Sequence, residues 1–169
     1  MGIRIESLNA ALGARVTGLE VARLDDTARK RLRDAFFEYQ VLFFPELDPT
    51  PTEHELLASV FGEPEEHVEG REEDRRTAHY ADDKNLILII DSGRNAANYW
   101  HTDATFRETP PSTSMIVTRS VPSKGGDTMW LDTYQAFAAL PLAVQELARK
   151  LQAVHGHPGI TVLNSHPVV

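Results

Sequence analysis

The spacing of apolar and polar residues predicts a chain that alternates short strands with amphipathic helices. Residues 4–21 are expected to form one or two short strands. Apolar residues then recur at helical intervals across residues 28–39, just after two aspartates that suit the positive end of a helix dipole, so a helix is expected there. A second helix is expected to start at a capping box over residues 52–55 and to end at Gly62. The unbroken apolar runs 41–44 and 86–90 are typical of buried strands.

The second half of the chain shows weaker strand patterns and one more helix. Residue types favour strands at 112–121 and, after a glycine-containing turn, at 128–131. Pro141 is expected in the first turn of a helix that continues to Val154 and stops at Gly156. Residues 166–169 resemble the start of a further strand, so we expect residues 1–169 to be one domain that is truncated at its C-terminal side.

Composition and charge exclude several classes of protein. The 169 residues are 41% hydrophobic and 25% charged, which is a globular composition. A net charge of −8 argues against nucleic acid or an anionic membrane as the main partner, and no apolar run is long enough to span a bilayer. The chain has no cysteine, so any metal must be held by His, Asp or Glu. A cytoplasmic protein is predicted.

Residues 100–103, Trp-His-Thr-Asp, carry the most informative chemistry. In an extended strand, side chains two residues apart point to the same side, so His101 and Asp103 can present an imidazole nitrogen and a carboxylate oxygen to one point. With a second histidine, such a pair forms the triad that holds iron(II) and leaves positions open for a cosubstrate and dioxygen. The plain alternative is an exposed histidine beside an aspartate at the end of a strand.

A longer motif surrounds this pair. From Trp100 the chain reads WHTDATFRETPPSTSMIVTRSVPSKGGDTMW. This resembles the taurine dioxygenase family of 2-oxoglutarate-dependent oxygenases, whose members carry W-H-T-D-x-T-F, a Pro-Pro pair, an apolar strand and then P-x-x-G-G-D-T-x-W/F. Upstream features are also similar, so the resemblance extends from about residue 8 to about residue 155.

The resemblance implies a fold and a reaction. The fold is α+β and mainly β, with a double-stranded β-helix (jelly-roll, cupin-like) core and flanking helices. Iron(II) is expected on His101 and Asp103, and the Thr128 hydroxyl is expected to hydrogen-bond a 2-oxoglutarate carboxylate. Two glycines before Thr128 suit a close approach by a small anion, because they carry no Cβ. Dioxygen would hydroxylate a small organic substrate, such as a sulfonate, sulfate ester or phenoxy acid, with release of succinate and carbon dioxide.

The resemblance also implies that substrate contacts come from the segment ahead of the metal motif. Asn98 and His79 are the candidates there, and each has a plain alternative as a loop-capping or solvated side chain. Ala97 stands where taurine-using members carry an asparagine, so the pattern does not point to taurine itself. The charged residues 63–83 are expected to form a solvated loop or, in a sharper interpretation, a mobile lid over a site.

Two family features are not identified in the chain: a second iron-binding histidine and an arginine for the far end of 2-oxoglutarate. His155, His157 and His166 are candidate replacements for the histidine. Two alternatives therefore stay open. One is a catalytically incomplete fragment that acts as a binding or assembly module; the other is a cupin-type hydrolytic or isomerising site with zinc or manganese. An unpaired half-core is expected to associate, which predicts a homo-oligomer.

Overall fold

The computed structural model describes residues 2–66, 79–81, 84, 86–90, 99–156 and 161–169. In chain order the strands are β1 (Arg4–Ser7), β2 (Ala14–Thr17), β3 (Leu42–Phe43), β4 (His79–Tyr80), β5 (Leu88–Ile89), β6 (Gln152–His155) and β7 (Asn164–Pro167). The helices are a short 3-10 helix (Val21–Arg23), α1 (Asp26–Tyr39), α2 (Pro51–Ala58), α3 (Thr133–Ala138) and α4 (Leu142–Ala148). None of the helices in these ranges is long and apolar enough to cross a membrane.

The chain divides into two compact units. The first contains the residues up to Pro64 together with Met115–Ser123 and Asp127–Gln135. The second contains the described residues of Glu65–Ser114, Lys124–Gly126 and Ala136–Val169.

A three-stranded sheet and two helices form the first unit. In the sheet, β1 runs antiparallel to β2 and β2 runs parallel to β3. Side chains of β2 alternate between buried and exposed, as expected for a strand with one face on a core. The core cluster consists of buried aliphatic side chains from β2, the helices and the segments next to them: Val16, Leu19, Val21, Leu32, Leu57 and Val60.

Helix α1 matches its prediction closely. The Asp25 carboxylate accepts a hydrogen bond from the Ala28 N–H at 2.7 Å and so caps the helix start. At the other end, Gln40 has a left-handed φ of 65°, which ends the helix and turns the chain into β3. The predicted strand 41–44 is confirmed at Leu42–Phe43.

The second predicted helix is confirmed, but its cap lies two residues earlier than predicted and the helix ends at Ala58 rather than at Gly62. The capping residue is Thr50, whose hydroxyl accepts from the Glu53 N–H at 3.3 Å, while the Glu53 carboxylate accepts from the Thr50 N–H at 2.9 Å. Pro51 then occupies the first helical position, where its missing N–H costs nothing. The prediction gave the cap role to Thr52, a residue that the structure places inside the helix.

The strands predicted at 112–121 and 128–131 are not formed. A strand needs a partner to satisfy its backbone groups, and within the described residues neither segment belongs to any of the three sheets. In the first unit, side chains anchor the two segments instead. Arg119 pairs with the Asp48 carboxylate and donates to the Pro49 carbonyl, and the ring of Trp130 meets that of Phe43 edge-on with centroids 5.4 Å apart.

The second unit contains two small antiparallel pairs, β4–β5 and β6–β7. The strand predicted at 86–90 is confirmed only at Leu88–Ile89, and it is not buried, since Ile89 is 55% exposed. The predicted final helix ends at Ala148 rather than near Val154. Its last predicted turn forms β6, because pairing with β7 supplies backbone partners that a solvent-facing helix end lacks.

Candidate metal site

His101 and Asp103 lie in the second unit, where the chain enters a turn. The residues around them are irregular and Asp103 opens the turn, so the strand expected there is not formed. The two side chains nevertheless meet: Nε2 of His101 lies 3.5 Å from Oδ1 of Asp103. The expectation that spacing by two would bring nitrogen and oxygen to one point therefore holds in geometry, although a turn produces it rather than a strand.

A backbone carbonyl fixes the orientation of the His101 ring. Nδ1 of His101 lies 2.9 Å from the carbonyl oxygen of Tyr99. Because a carbonyl only accepts, this hydrogen bond requires the proton on Nδ1. The lone pair of the neutral ring is then on Nε2, the nitrogen that faces Asp103, and this is the arrangement by which proteins orient metal-binding histidines.

A serine hydroxyl fixes the Asp103 carboxylate. Oγ of Ser114 donates to Oδ2 of Asp103 at 2.5 Å, which leaves Oδ1 directed at the His101 ring. In each candidate ligand, one polar atom (Nδ1 of His101, Oδ2 of Asp103) makes a supporting hydrogen bond. The other polar atom (Nε2 of His101, Oδ1 of Asp103) faces the partner side chain. Both side chains stay accessible, with 42% of His101 and 55% of Asp103 exposed.

The turn after Asp103 is held at several points. Ala104 has a left-handed φ of 48°, and the Arg107 N–H donates to the Ala104 carbonyl at 3.0 Å. From β7, Asn164 donates its side-chain N–H to the Phe106 carbonyl at 2.6 Å, and Nε2 of His166 lies 2.9 Å from the Arg107 carbonyl. The Arg107 guanidinium also pairs with the carboxylate of Glu65.

The donor set fits two positions of an iron(II) site. An imidazole nitrogen and a carboxylate oxygen are the donors of the two-histidine, one-carboxylate triad. Metal–ligand distances to such atoms are about 2.0–2.2 Å, so one ion can bridge donors separated by 3.5 Å. In the part of the chain that the structure describes, no group of three or more His, Asp or Glu residues is placed to hold a metal.

The remaining predicted site residues are placed differently. Thr128 belongs to the first unit, where it is exposed and outside any strand. Asn98 and His157 lie outside the described residues. The backbone of His79 forms part of β4, and its side chain is not among the parts of the chain that the structure describes. Within the second unit, His101 and Asp103 are brought together, and so are the rings of His155 and His166.

Two of the candidate replacements for the third ligand, His155 and His166, behave as supports. Nε2 of His166 faces the Arg107 carbonyl, and its ring packs against that of His155 with centroids 5.5 Å apart. Sequence reasoning did not identify Ser114 or Asn164 as partners of the metal motif. No local signal marks Ser114, and Asn164 acts on a turn that lies 58 residues away.

A family comparison decides what this motif belongs to. The model of the "Taurine catabolism dioxygenase TauD, TfdA family" matches residues 4–159. The chain belongs to this taurine dioxygenase family. Membership confirms the identification made from the motif that starts at Trp100.

Two curated relatives and one solved structure show what this family member resembles. An alkylsulfatase of Acinetobacter baylyi is 34% identical over 158 residues, covering 92% of this chain and 47% of its own. An alpha-ketoglutarate-dependent sulfate ester dioxygenase of Pseudomonas putida is 33% identical over 151 residues, covering 86% of this chain and 47% of its own. A taurine dioxygenase structure from Burkholderia xenovorans superposes with a TM-score of 0.69 at 26% identity, covering 98% of this chain and 58% of that one.

Two facts follow for this chain. Its fold is that of the taurine dioxygenases, with mixed helices and strands. The chain spans about half the length of the curated relatives that it matches.

Proposed function

We propose that the chain is the iron-binding portion of an iron(II)- and 2-oxoglutarate-dependent dioxygenase that hydroxylates a small organic sulfate ester or related sulfonate. The observation that carries the proposal is the 3.5 Å approach of Nε2 of His101 to Oδ1 of Asp103, with the Nδ1 proton fixed by Tyr99. When bound, iron supplies the dioxygen chemistry by which 2-oxoglutarate becomes succinate and carbon dioxide while the substrate gains a hydroxyl group.

The residues of the chain supply binding and orientation in this proposal. His101 and Asp103 hold the metal, and Ser114 keeps the Asp103 carboxylate turned toward it. The Thr128 hydroxyl donates to a carboxylate of 2-oxoglutarate. Gly125 and Gly126 precede it with left-handed φ values of 72° and 75°, a backbone that side chains other than glycine adopt at a cost.

The substrate class rests on the relatives. Both curated relatives reported above are named for sulfate esters, and hydroxylation of the carbon that bears the ester oxygen would release sulfate and leave an aldehyde. Asn98 and His79 remain the proposed substrate contacts, since both precede the metal motif in the chain. A phenoxy acid is the next substrate class to test.

The proposal includes a third ligand from outside the described residues, together with the arginine for 2-oxoglutarate. It also includes one jelly-roll domain that residues 1–169 fill only in part. Intact mass spectrometry of the protein from its natural source tests this. A mass well above 18.9 kDa would support the partly filled domain, and a mass of 18.9 kDa would contradict it.

Self-association and a cytoplasmic location complete the proposal. Large apolar side chains such as Trp100, Met129 and Leu163 are exposed, and patches of such side chains commonly mark interfaces. Light scattering on the purified protein is expected to give a multiple of the chain mass. A monomer at micromolar concentration would remove the homo-oligomer from the proposal.

Succinate production tests the central claim. The purified protein, supplied with iron(II), 2-oxoglutarate, dioxygen and a linear alkyl sulfate, is expected to release succinate and sulfate in equal amounts. His101→Ala should abolish both products, because it removes one of the two proposed ligands. His54→Ala, the same change on helix α2, is the matched control and should leave turnover intact.

Other outcomes of this assay would select the alternatives. Unchanged turnover in the His101→Ala variant would rule out the proposed site. Sulfate release with zinc or manganese but without 2-oxoglutarate would favour the cupin-type hydrolytic site. Binding of neither iron(II) nor 2-oxoglutarate by the wild-type protein would favour the binding or assembly module.

A further inference from the structure

We infer that Asn164 and His166 of β7 are positioning residues for the metal site, because they clamp the turn that begins at Asp103. The inference rests on the proposed function, since it concerns the same His101–Asp103 pair. Neither residue touches the metal in this account. Each acts through the backbone that carries the carboxylate ligand.

The clamp consists of two hydrogen bonds from one strand to consecutive carbonyls. Asn164 donates to the Phe106 carbonyl at 2.6 Å, and His166 donates from Nε2 to the Arg107 carbonyl at 2.9 Å. Both bonds are partly buried and link positions 58 and 59 residues apart. Because the two residues are separated by two along β7, their side chains leave the same face of the strand.

The strand that carries the clamp is itself well held. Four residue pairs join β6 to β7, from Gln152↔Pro167 to His155↔Asn164. Beyond the ladder, the Val168 N–H donates to the Leu151 carbonyl at 3.1 Å. The ring of His155 packs against that of His166 and limits its rotation. The β6–β7 pairing therefore holds the two donor side chains, Asn164 and His166, in a fixed position.

The turn at the metal site needs such support. His101 and Asp103 are both substantially exposed, so burial does not fix them. Ala104, the residue directly after the carboxylate ligand, adopts a left-handed φ of 48° that L-residues other than glycine disfavour. Polar contacts must hold this conformation. The contacts from β7 are hydrogen bonds to the carbonyls of Phe106 and Arg107.

Substitutions that remove a donor without changing shape test the inference. Asn164→Leu and His166→Phe each delete one N–H donor and keep a similar side-chain volume. The probe is Co(II), titrated calorimetrically into the purified full chain without oxygen, with the thermal unfolding midpoint recorded for each variant. We expect each variant to bind Co(II) roughly 10-fold more weakly, the lower end of what loss of a supporting contact costs at metal sites.

Two further variants separate positioning from other roles. His166→Gln retains an N–H donor and should bind Co(II) nearly as tightly as the wild type; this would not be expected if His166 were itself a ligand. Ser165→Ala is the matched control, because the Ser165 hydroxyl donates to Gln152 at 2.9 Å within the hairpin and its side chain leaves the opposite face of β7. It should leave Co(II) affinity unchanged.

The outcomes distinguish the inference from the proposed function. Folded Asn164→Leu and His166→Phe variants with wild-type Co(II) affinity would overturn the clamp, as would equal weakening by Ser165→Ala. If one of the two deletion variants does not fold, the other decides. A wild-type protein whose Co(II) binding is absent, or is unaffected by His101→Ala, would instead overturn the metal site itself.

Discussion

A different kind of interaction stabilises each of the two units internally. In the first, six buried aliphatic side chains form one core cluster in which Leu32 is fully enclosed. In the second, apolar side chains of the described residues stay at least partly exposed, and the metal motif is fixed by hydrogen bonds. Packing orders one region, and directed polar contacts order the other.

The difference between the units explains why a metal site suits the second unit better than the core of the first. A packed core tolerates no open coordination position, because its interior has the density of a crystal. A solvent-accessible turn can bind an ion and a small molecule, provided that hydrogen bonds from neighbouring residues hold the metal-binding side chains in place. The contrast predicts that core substitutions change stability, whereas substitutions around the metal motif change metal affinity.

The largest expected effect is on the core of the first unit. Leu32→Ala removes a side chain with no exposed surface and should lower the free energy of unfolding by about 2–5 kcal/mol. Phe37→Ala, on the exposed side of the same helix, should cost less than about 0.5 kcal/mol. Urea titration followed by circular dichroism measures both. Equal losses in the two variants would contradict the packed core.

A smaller effect is expected at the hydroxyl that orients the metal carboxylate. Ser114→Ala should weaken Co(II) binding about 10-fold, or about 1.4 kcal/mol, and leave the unfolding midpoint unchanged. Ser114→Thr keeps the hydroxyl at an exposed position and should retain binding. Ser112→Ala, an exposed serine two residues earlier, is the control. If Ser114→Ala lowered the unfolding midpoint and left Co(II) affinity unchanged, Ser114 would have a purely structural role. The proposed difference between the two units would then be contradicted.

The smallest expected effect concerns the capping box of α2. The Thr50 backbone N–H and then its hydroxyl hold the pKa of Glu53 below its ordinary value. A carboxyl whose pKa is lower in the folded state stabilises the fold fully above its unfolded pKa of about 4.3, and this contribution is lost as the pH falls through the folded value.

The pH effect is measured as the difference in unfolding midpoint between the wild type and Glu53→Gln. The difference should be present at neutral pH and should shrink as the solution is acidified below the ordinary glutamate pKa. Co(II) affinity at neutral pH should not change, because the hydrogen bonds of the Glu53 carboxylate are made to Thr50 within the capping box. A difference that is the same at neutral and acidic pH would contradict the assigned cause.

The accuracy of the sequence-based predictions follows the range of the interactions involved. Helix α1 and its aspartate cap were predictable because both depend on residues within a few positions of one another. The capping box at Thr50 was misplaced by two residues, since two threonines in one short stretch compete for the cap position. Helix α3 was missed although the Asp132 carboxylate accepts from the Gln135 N–H at 3.0 Å, a local cap that the sequence displays.

Long-range pairing accounts for the other errors. The segment 149–155 has helical spacing, but β7 offers it a strand partner, and this pairing outweighs the local preference. Segments 112–121 and 128–131 have strand-forming residues and lack a partner strand within the described chain, so they are fixed by Arg119 and Trp130 instead.

The sequence by itself determined the family, the amphipathic helices and the residues of the proposed metal pair, because motif spacing and local periodicity depend on residues close together in the chain. Only the tertiary structure decided how that pair is oriented. The Ser114 hydroxyl and the two donors of β7 reach the motif through the folded chain. A hydrogen bond depends on distance and direction in space, and contacts over 11 to 59 residues leave no local pattern to read.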